Sequence, residues 1–319
     1  MDLSVVDPVA LFVGLVAAAT PLLFAAIGEL VVEKSGVLNL GVEGMMIVGA
    51  ICGFATAVKT GSPALGFVAG AAGGCVLSLI FGVMTQYLLS NQVATGLALT
   101  LFGLGISALI GQPFTGVKSP TVARLEIPVL SEIPLLGRLF FSYDIVIYLG
   151  IALVVAVWWF LKFTRRGLVL RAVGENHDAA HSLGYSVVAI RLAAIAFGGA
   201  CAGLGGAYLS LARVPQWTEG MTAGAGWIAL AIVVFSAWRP WRVLLGAWLF
   251  GGVTILQLNL QASGFLSWLQ SVGIPAQAQY LSMTPYLITI AVLVVISADG
   301  SKARSNAPAS LGRTFTGSG

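Results

Sequence analysis

The sequence predicts an all-α protein that crosses the membrane about nine times, and two properties of the chain carry that prediction. Of its 319 residues, 58% are hydrophobic and only 9% are charged, and the mean hydropathy is +0.97. A soluble domain carries about 25% charged residues, so this chain has too few polar groups to cover a water-facing surface. Its apolar residues also fall into runs of about 20, the length that a helix needs to cross the hydrocarbon core.

Nine such runs follow one another along the chain. They lie near residues 8–28, 37–58, 64–89, 93–111, 143–162, 191–212, 224–238, 243–262 and 279–298. The seventh is short and bounded by glycines, so we expect a broken or half helix there and eight to ten crossings in all. Glycines at small-xxx-small spacing indicate spans whose backbones pack closely; they are Gly66, Gly70 and Gly74, and Gly199 and Gly203.

The Lys and Arg residues orient these spans. The segment between Leu161 and Leu192, which connects the fifth and sixth runs, holds five of them: Lys162, Arg165, Arg166, Arg171 and Arg191. Placing it in the cytoplasm puts eleven of the 16 Lys and Arg residues inside and five outside. Because positive residues favour the cytoplasmic side, the sequence predicts that the N-terminus lies outside and the C-terminus inside. That orientation requires an odd number of crossings.

Residues 1–298 are expected to form one transmembrane domain, and the rest of the chain differs in composition. Residues 299–319 are rich in Ser, Gly and Ala and have no apolar period, so we expect a disordered cytoplasmic tail. On the outer side, residues 112–142 and 263–283 form polar excursions. The first could contact a soluble partner, and the second is expected to include a short interfacial helix.

No set of residues in the sequence predicts an enzyme, a bound cofactor or a metal site. His177 and His181 share one helix face at i, i+4 spacing, but no third metal ligand accompanies them. We therefore expect a solvated helix face at this pair. The net charge of +4 is too scattered to indicate a nucleic-acid-binding surface, and the chain has no Gly-Lys-Thr phosphate loop for ATP hydrolysis.

The basic connection 163–190 contains a candidate short helix. Asn176 or Asp178 is suited to cap its N-terminus, and residues 179–183 supply its body. Gly184 is suited to end it. A short helix held between two spans can dock into a groove on a soluble partner, and the alternative is a plain connector.

Three stretches of the chain carry a family signature. They are Gly28-Glu29 with Glu33-Lys34-Ser35-Gly36-Val37-Leu38-Asn39-Leu40-Gly41-Val42-Glu43-Gly44; Val173-Gly174-Glu175-Asn176 with Ala179-Ala180 and Gly184; and Thr222-Ala223-Gly224-Ala225-Gly226-Trp227-Ile228-Ala229-Leu230-Ala231 with Trp238-Arg239-Pro240. In this order they resemble ABC-transporter permeases of the ribose/branched-chain amino-acid type, nucleoside and simple-sugar subgroup. The resemblance covers about residues 10–298, and the chain is most similar to the shorter member of a permease pair. It departs from the family pattern at His177, where proline is frequent, and at Ala225, where a basic residue is frequent.

The resemblance implies an importer assembled from several proteins in the bacterial cytoplasmic (inner) membrane. Two permease subunits, expected to be non-identical, would form a pathway for nucleosides, and an extracytoplasmic binding protein would deliver the cargo. A separate cytoplasmic ATPase would use ATP, and this chain would bind no cofactor itself. The ATPase would press on a coupling segment that contains Gly174, Glu175, Asn176, Ala179, Ala180 and Gly184.

Four polar residues within or beside the predicted spans are candidates for the substrate pathway. Asn39 and Glu43 lie four residues apart, which would place them on one helix face. A charge at the bilayer centre costs on the order of 2.5–3.5 kcal/mol or more, so Glu43 is expected to face protein or water. The pair would either hydrogen-bond a nucleoside or brace a broken helix by capping its backbone. The other candidates are Gln257 and Asn259, in the eighth predicted span.

Other interpretations stay open on the sequence alone. The same machinery could carry a simple sugar or a branched-chain amino acid. An ion-coupled secondary carrier would need acidic ion ligands in mid-membrane, where Glu43 has no evident acidic partner. The tripeptide Glu43-Gly44-Met45 recurs as Glu219-Gly220-Met221, which fits either an inverted repeat or chance.

Overall fold

The chain is a bundle of long helices in the computed structural model, which describes residues 8–123, 137, 139, 141, 143–263, 277–285, 287, 288, 290, 291, 294 and 306–317. The helices are α1 (Pro8–Lys34), α2 (Val42–Thr60), α3 (Pro63–Gln86), α4 (Gln92–Gly111), α5 (Ile145–Phe163), α6 (Arg165–Glu175), α7 (His177–Ser182), α8 (Val187–Tyr208), α9 (Ala225–Phe235), α10 (Pro240–Ala262) and α11 (Ala278–Ser282). A 3-10 turn, Gln112–Phe114, extends α4, and a π turn, Leu209–Arg213, extends α8.

Seven of these helices are long and apolar enough to cross a membrane: α1, α2, α3, α4, α5, α8 and α10. No β-strand occurs in the described residues, and the chain is therefore a helical, multi-pass membrane protein as predicted. The seventh predicted span corresponds to the shorter helix α9. The ninth, residues 279–298, lies largely outside the described residues, so the total of nine crossings stays a prediction.

Glycines form the central helix contact of the bundle. α8 packs against α1, α2 and α3, and the two predicted glycine stripes of α3 and α8 face each other. A Cβ built on Gly74 would lie 2.2 Å from the carbonyl oxygen of Gly199, and one built on Gly203 would lie 2.2 Å from that of Gly70. The helices touch through their backbones, so a larger residue at these positions would force them apart.

The two ends of the bundle carry different charged residues. One end, here called the basic face, has Lys34 at the end of α1, close enough to Arg171, Glu175 and Arg239 to interact electrostatically. At the other end, Lys59 lies 5.9 Å above the ring of Phe114. The positive-inside rule assigns the basic face to the cytoplasm, and this orientation stays a prediction.

Parts of the two polar excursions lie within the described residues. Thr115 and Lys118 form isolated bridges with Trp217 and Gln216, which joins the segment after α4 to the segment after α8. The five residues of α11 lie where the second excursion meets the ninth predicted span, so the interfacial helix of that excursion stays a prediction. Residues 124–136 and 264–276 lie outside the described part of the chain.

The end of the chain differs from the disorder predicted for residues 299–319. Residues 306–317, here called the tail, lie on the basic face. The amide of Ser310 donates to the carbonyl of Gly174 (2.9 Å), and the amide of Gly312 donates to that of Gly36 (3.1 Å). Phe315 is only 8% exposed. Composition alone misses this arrangement because one aromatic ring and several backbone hydrogen bonds fix the tail on a surface that distant segments supply.

Candidate functional site

The half-length helix α9 begins deep in the bundle. Its 11 residues span about 16 Å at 1.5 Å per residue, roughly half of the 30 Å hydrocarbon core. Its first turn abuts the first turn of α2, where a Cβ on Gly226 would lie 2.4 Å from the amide nitrogen of Glu43. The neighbouring Gly44 contacts Gly103, about 16 Å along α4 from the start of that helix. This confirms the half helix predicted at the seventh span.

Glu43 caps the start of α9. Its Oε1 accepts hydrogen bonds from the Thr222 hydroxyl (2.5 Å) and the Gly224 amide (2.9 Å), and its Oε2 accepts one from the Gly226 amide (2.6 Å). The residue is 3% exposed. The N-terminal N–H groups of a helix lack intrahelical partners and favour an acidic neighbour. Of the two roles left open by the sequence, these contacts support the brace.

Asn39 does not share a helix face with Glu43, which corrects the sequence interpretation. It lies in the connection before α2, since that helix begins at Val42. Its Oδ1 accepts a hydrogen bond from the backbone amide of Gly41 (2.9 Å), and its own backbone amide donates to Glu29 Oε1 (3.3 Å). With 1% exposure, Asn39 shapes the turn that carries the chain from α1 into the bundle.

The other end of α9 is held by a second acid, Glu33. The indole Nε1 of Trp238 donates to Glu33 Oε2 at 2.5 Å. Trp238 and the preceding Ala237 both have positive φ, 55° and 48°, so the chain turns sharply where α9 ends. Glu33 was noted in the sequence only as part of a signature. Its partner lies 205 residues away, and no local pattern could have identified it.

The repeated tripeptide does not adopt the same conformation twice. Glu43 is buried in the first turn of α2, whereas Glu219 is exposed before α9. Gly44 is helical, and Gly220 has a φ of +66°. The structure therefore gives the inverted-repeat interpretation no support at this tripeptide.

Gln257 and Asn259 make contacts elsewhere than at the Glu43 brace. Both lie near the C-terminal end of α10. Gln257 Nε2 donates to the Ser282 hydroxyl at 3.4 Å, and Asn259 Nδ2 donates to the carbonyl of Ile255, in its own helix, at 2.8 Å. Their place in a substrate pathway stays a prediction.

The predicted short helix of the basic connection is α7. Asn176 caps it, because its Oδ1 accepts from the amide of Ala179 at 3.0 Å. Gly184 follows its last turn with a φ of +87°, and its amide donates to the carbonyl of His181 at 2.8 Å. Both the cap and the terminating glycine were predicted from the sequence. Ala180 faces inward at 3% exposure, while Ala179 faces solvent.

Gly174 and Glu175 connect α7 to the end of α1. A Cβ on Gly174 would lie 2.1 Å from the carbonyl oxygen of Lys34, so only glycine fits this contact. The carbonyl of Glu175 accepts a hydrogen bond from the Ser310 hydroxyl at 3.2 Å. The predicted coupling segment therefore rests directly on α1 and on the tail.

Arg191 is the centre of the basic face, and the sequence identified it only as one positive charge among many. Its side chain is fully buried. The guanidinium donates to the carbonyls of Ser35 (3.2 Å) and Arg313 (3.1 Å) and lies 3.5 Å from Gln86 Oε1. A single Arg near the start of an apolar helix was the only available signal. Its partners come from three segments far apart in the sequence.

The aromatic ring of Phe315 packs against α7. It lies edge-on to His177 and His181, at centroid distances of 5.5 and 5.2 Å, and contacts the cluster that contains Val173 and Ala180. His177 is therefore buried, at 8% exposure, rather than solvated as predicted. Burial lowers its pKa, and the nearby Arg191 guanidinium lowers that pKa further. Among the described residues, no group of three or more His, Cys, Asp or Glu is placed to hold a metal ion.

The three signature stretches meet in space. The first bonds to the third at both ends of α9, through Glu43 and Glu33. It also touches the second where Gly174 packs on Lys34. Residues up to 205 positions apart thus form one contiguous structure from the basic face to the start of α9.

Comparison with known proteins agrees with this arrangement. The family described as "branched-chain amino acid transport system / permease component" matches residues 11–296. A putative glucose ABC transporter permease of Haloferax volcanii is 42% identical over 87% of this chain and 88% of its own. A nucleoside ABC transporter permease of Lactococcus lactis (87% and 89% coverage) and a guanosine ABC transporter permease of Bacillus subtilis (91% of both chains) are each 32% identical. No solved structure matches significantly.

The match extends across the first signature, the coupling segment and α9. The family match covers most of the chain, and three relatives above 30% identity align over most of both chains. Together these matches establish the family of this chain. The chain belongs to the branched-chain amino acid transport system permease family and is an ABC transporter permease.

Proposed function

We propose that this chain is one permease subunit of an ABC importer that carries nucleosides across the cytoplasmic membrane. A separate ATPase would bind the basic face and use ATP. An extracytoplasmic binding protein would deliver cargo, and a second, non-identical permease would complete the pathway. The observation that carries the proposal is that this chain, a member of the permease family, holds α7 firmly packed on its basic face.

The outward side of α7 is suited to enter a groove on the ATPase. Asp178, Ala179 and Ser182 are exposed, and Leu183 beside them is 77% exposed. An apolar side chain this exposed on a capped helix supplies buried area when a partner covers it. The opposite side of α7 is fixed by Ala180 and by the tail, so a push on α7 would move the structure beneath it.

A route for that push leads to α9. α7 follows Gly174, which packs on the end of α1. That end carries Glu33, which holds Trp238 at the end of α9, and the first turn of α2 carries Glu43, which holds the start of α9. Closure of an ATPase dimer could thus tilt or shift a half helix at membrane depth. A route of this kind requires an element with two discrete arrangements, and α9 is our candidate.

The cargo proposal rests on relatives. Two of them are named as nucleoside and guanosine permeases, which favours a nucleoside. The relative at 42% identity is named as a putative glucose permease, so a simple sugar is the second candidate. Both cargoes contain a hydroxylated sugar ring, and uptake of that chemical group is what we expect of this transporter.

The coupling role can be tested with two matched glycines. Gly184 and Gly61 both follow a helix with positive φ (+87° and +70°), both donate an amide hydrogen bond, and neither would meet a neighbour within 4 Å of an added Cβ. Proline cannot adopt this φ and has no N–H. We expect Gly184→Pro to lower the ratio of uptake to ATP hydrolysis in proteoliposomes by about tenfold, the equivalent of about 1.4 kcal/mol, whereas Gly61→Pro leaves it unchanged.

Assembly is measured in the same preparations, by the amount of ATPase that co-purifies with each variant. Equal ratios for both proline variants would contradict the coupling role of α7. Transport by the wild-type chain alone, without ATP, would contradict the importer and favour an ion-coupled carrier.

Cargo is tested separately. Guanosine and glucose are each offered, as labelled compounds, to the partner binding protein and to the reconstituted transporter. Binding and uptake of guanosine in preference to glucose are expected. Preference for glucose would show that the cargo is a simple sugar and would leave the proposed coupling role of α7 unaffected.

A further inference from the structure

An apolar cavity of about 800 Å³ opens beside the basic face, between α1, α5, α6 and α8. This size lies within the range of ligand-binding pockets. Its walls are almost entirely hydrocarbon, and they include Val31, Leu153, Val157, Phe160, Leu170 and Phe197. Polar groups occur mainly at one end, where Arg165, Arg166 and Tyr185 line it.

The depth of the cavity matches one leaflet of a bilayer. Its wall on α5 is formed by residues from Leu153 to Phe160, and Leu153 lies ten residues before the end of that helix at Phe163. Ten residues of helix cover about 15 Å, half of the roughly 30 Å hydrocarbon core. The cavity therefore reaches from the membrane surface to about the bilayer midplane.

Aromatic and basic side chains mark the membrane surface at the same level. The Lys162 ammonium lies 5.4 Å above the ring of Trp158, and that ring is 6.1 Å from the ring of Trp241. Trp and Lys residues at helix ends are typical of the headgroup region. Arg165 and Arg166 follow directly, so their guanidinium groups lie where lipid phosphates lie.

Both arginines are available to an anion. They are exposed, and among the described residues neither has an acidic partner within 4 Å. They are also the first two residues of α6, whose N-terminus carries partial positive charge. Basic pockets between membrane helices on the cytoplasmic side are suited to anionic headgroups.

We propose that this cavity binds an anionic phospholipid, with an acyl chain between α1, α5 and α8 and the phosphate against Arg165 and Arg166. The hydroxyls of a sugar or nucleoside would find no hydrogen-bond partners along the apolar walls, so the cavity does not fit the proposed cargo. A bound lipid would join α6, and with it the coupling segment, to the spans. The lipid site itself does not depend on the transport proposal.

The test compares lipid retention in two pairs of variants. The transporter is reconstituted in nanodiscs of phosphatidylcholine with one-tenth phosphatidylglycerol, and bound lipid is read by native mass spectrometry. Each Arg near a headgroup contributes about fivefold in affinity, so Arg165→Gln with Arg166→Gln should reduce phosphatidylglycerol retention about thirtyfold. The control, Arg239→Gln with Arg242→Gln, removes two charges of the basic face that do not line the cavity and should leave retention unchanged.

Two further arms identify the occupant. Millimolar inorganic phosphate, added to discs without phosphatidylglycerol, should not saturate the site, because the apolar walls require an acyl chain. A photo-reactive residue at Ala156, which lines the cavity, should yield a lipid adduct in the complex isolated from its own membrane. Equal retention in both Arg pairs, full saturation by phosphate, or a cross-link to a protein subunit would each overturn the proposal. Thermal unfolding of each variant verifies that it is folded.

Discussion

The Glu43 brace and the basic face are both held by a buried side chain that hydrogen-bonds to backbone groups. The side chain accepts these bonds at the brace and donates them at the basic face. At the brace, one buried carboxyl satisfies two backbone amides and a hydroxyl at the start of α9. At the basic face, the buried guanidinium of Arg191 donates to backbone carbonyls of two separate segments. The brace fixes one helix start, whereas Arg191 joins the α1–α2 connection to α8 and the tail.

We infer from this difference that α9 is the part that can move and that the basic face is the part that stays rigid. The side chains of α9 pack in the bundle core, but its hydrogen bonds to α1 and α2 lie at its two ends, at Glu33 and Glu43, so α9 can change tilt if those ends shift together. On the basic face, Gly36, Gly174 and Arg191 are each hydrogen-bonded to the tail, so we expect this face to move as a unit. Four predictions test this contrast, in order of decreasing effect.

The largest effect is expected from Arg191→Ala. Loss of the guanidinium leaves the carbonyls of Ser35 and Arg313 and the Gln86 side chain without their donor, and each unsatisfied buried group costs about 1–3 kcal/mol. We expect a loss of about 3–5 kcal/mol in the free energy of unfolding, measured by denaturant titration in detergent. The control Arg242→Ala changes an exposed charge on the same face and should cost less than about 0.5 kcal/mol. Similar losses for the two variants would contradict the central role of Arg191.

The second-largest effect is expected from Glu43→Gln, which changes the brace. An amide has one acceptor oxygen, so its NH₂ group would face an N–H or O–H donor that now loses its partner. Because hydrogen bonds to a buried carboxyl group are lost, we expect the free energy of unfolding to fall by about 2–3 kcal/mol. Glu219→Gln, the exposed copy of the tripeptide, is the matched control and should be neutral. If both variants behaved alike, Glu43 would not be a brace.

Phe315→Ala should release the tail without unfolding the bundle. Burial of a Phe side chain contributes about 1.5–3 kcal/mol, and loss of it should weaken tail docking by about 2 kcal/mol. Hydrogen exchange at the amides of Ser310 and Gly312 reads this directly, since both are bonded to the basic face. Thr314→Ala, at an exposed position of the tail, should leave their exchange slow. Unchanged exchange in Phe315→Ala would show that the ring does not hold the tail.

The smallest effect concerns pH. The pKa of His177 is lowered in the folded chain from its ordinary value of 6.5, first by burial and then by Arg191, with Asp178 opposing. When the tail is released, His177 in α7 therefore binds a proton as the pH falls through 6.5, whereas in the docked form it stays neutral, so docking is complete above pH 6.5 and weakens below it. Exchange at Ser310 and Gly312 should accelerate between pH 6.5 and 5.5, and less so in His177→Gln. An identical pH response in that variant would exclude His177 as the cause.

Local patterns in the sequence predicted local structure well. Asn176 and Gly184 bound α7 because caps and left-handed glycines act within a few residues, and the glycine stripes of α3 and α8 meet because their spacing follows the helix period. The sequence also predicted α9 as a short helix. Contacts between distant segments were missed: Glu33 with Trp238, Arg191 with Ser35, and Phe315 with His177. Each depends on a partner at least 138 positions away, and no periodicity or spacing encodes such a pair.

We propose that α7, Arg191 and the tail act as one unit that transmits force from an ATPase. This proposal is tested most directly by the uptake-to-hydrolysis ratio in proteoliposomes of a chain that lacks residues 306–319, compared with the full chain at equal ATPase content. We expect the truncated transporter still to bind its ATPase and hydrolyse ATP but to move much less cargo per ATP. An unchanged ratio would exclude the tail from coupling, because α7 would then transmit force without the tail that holds it.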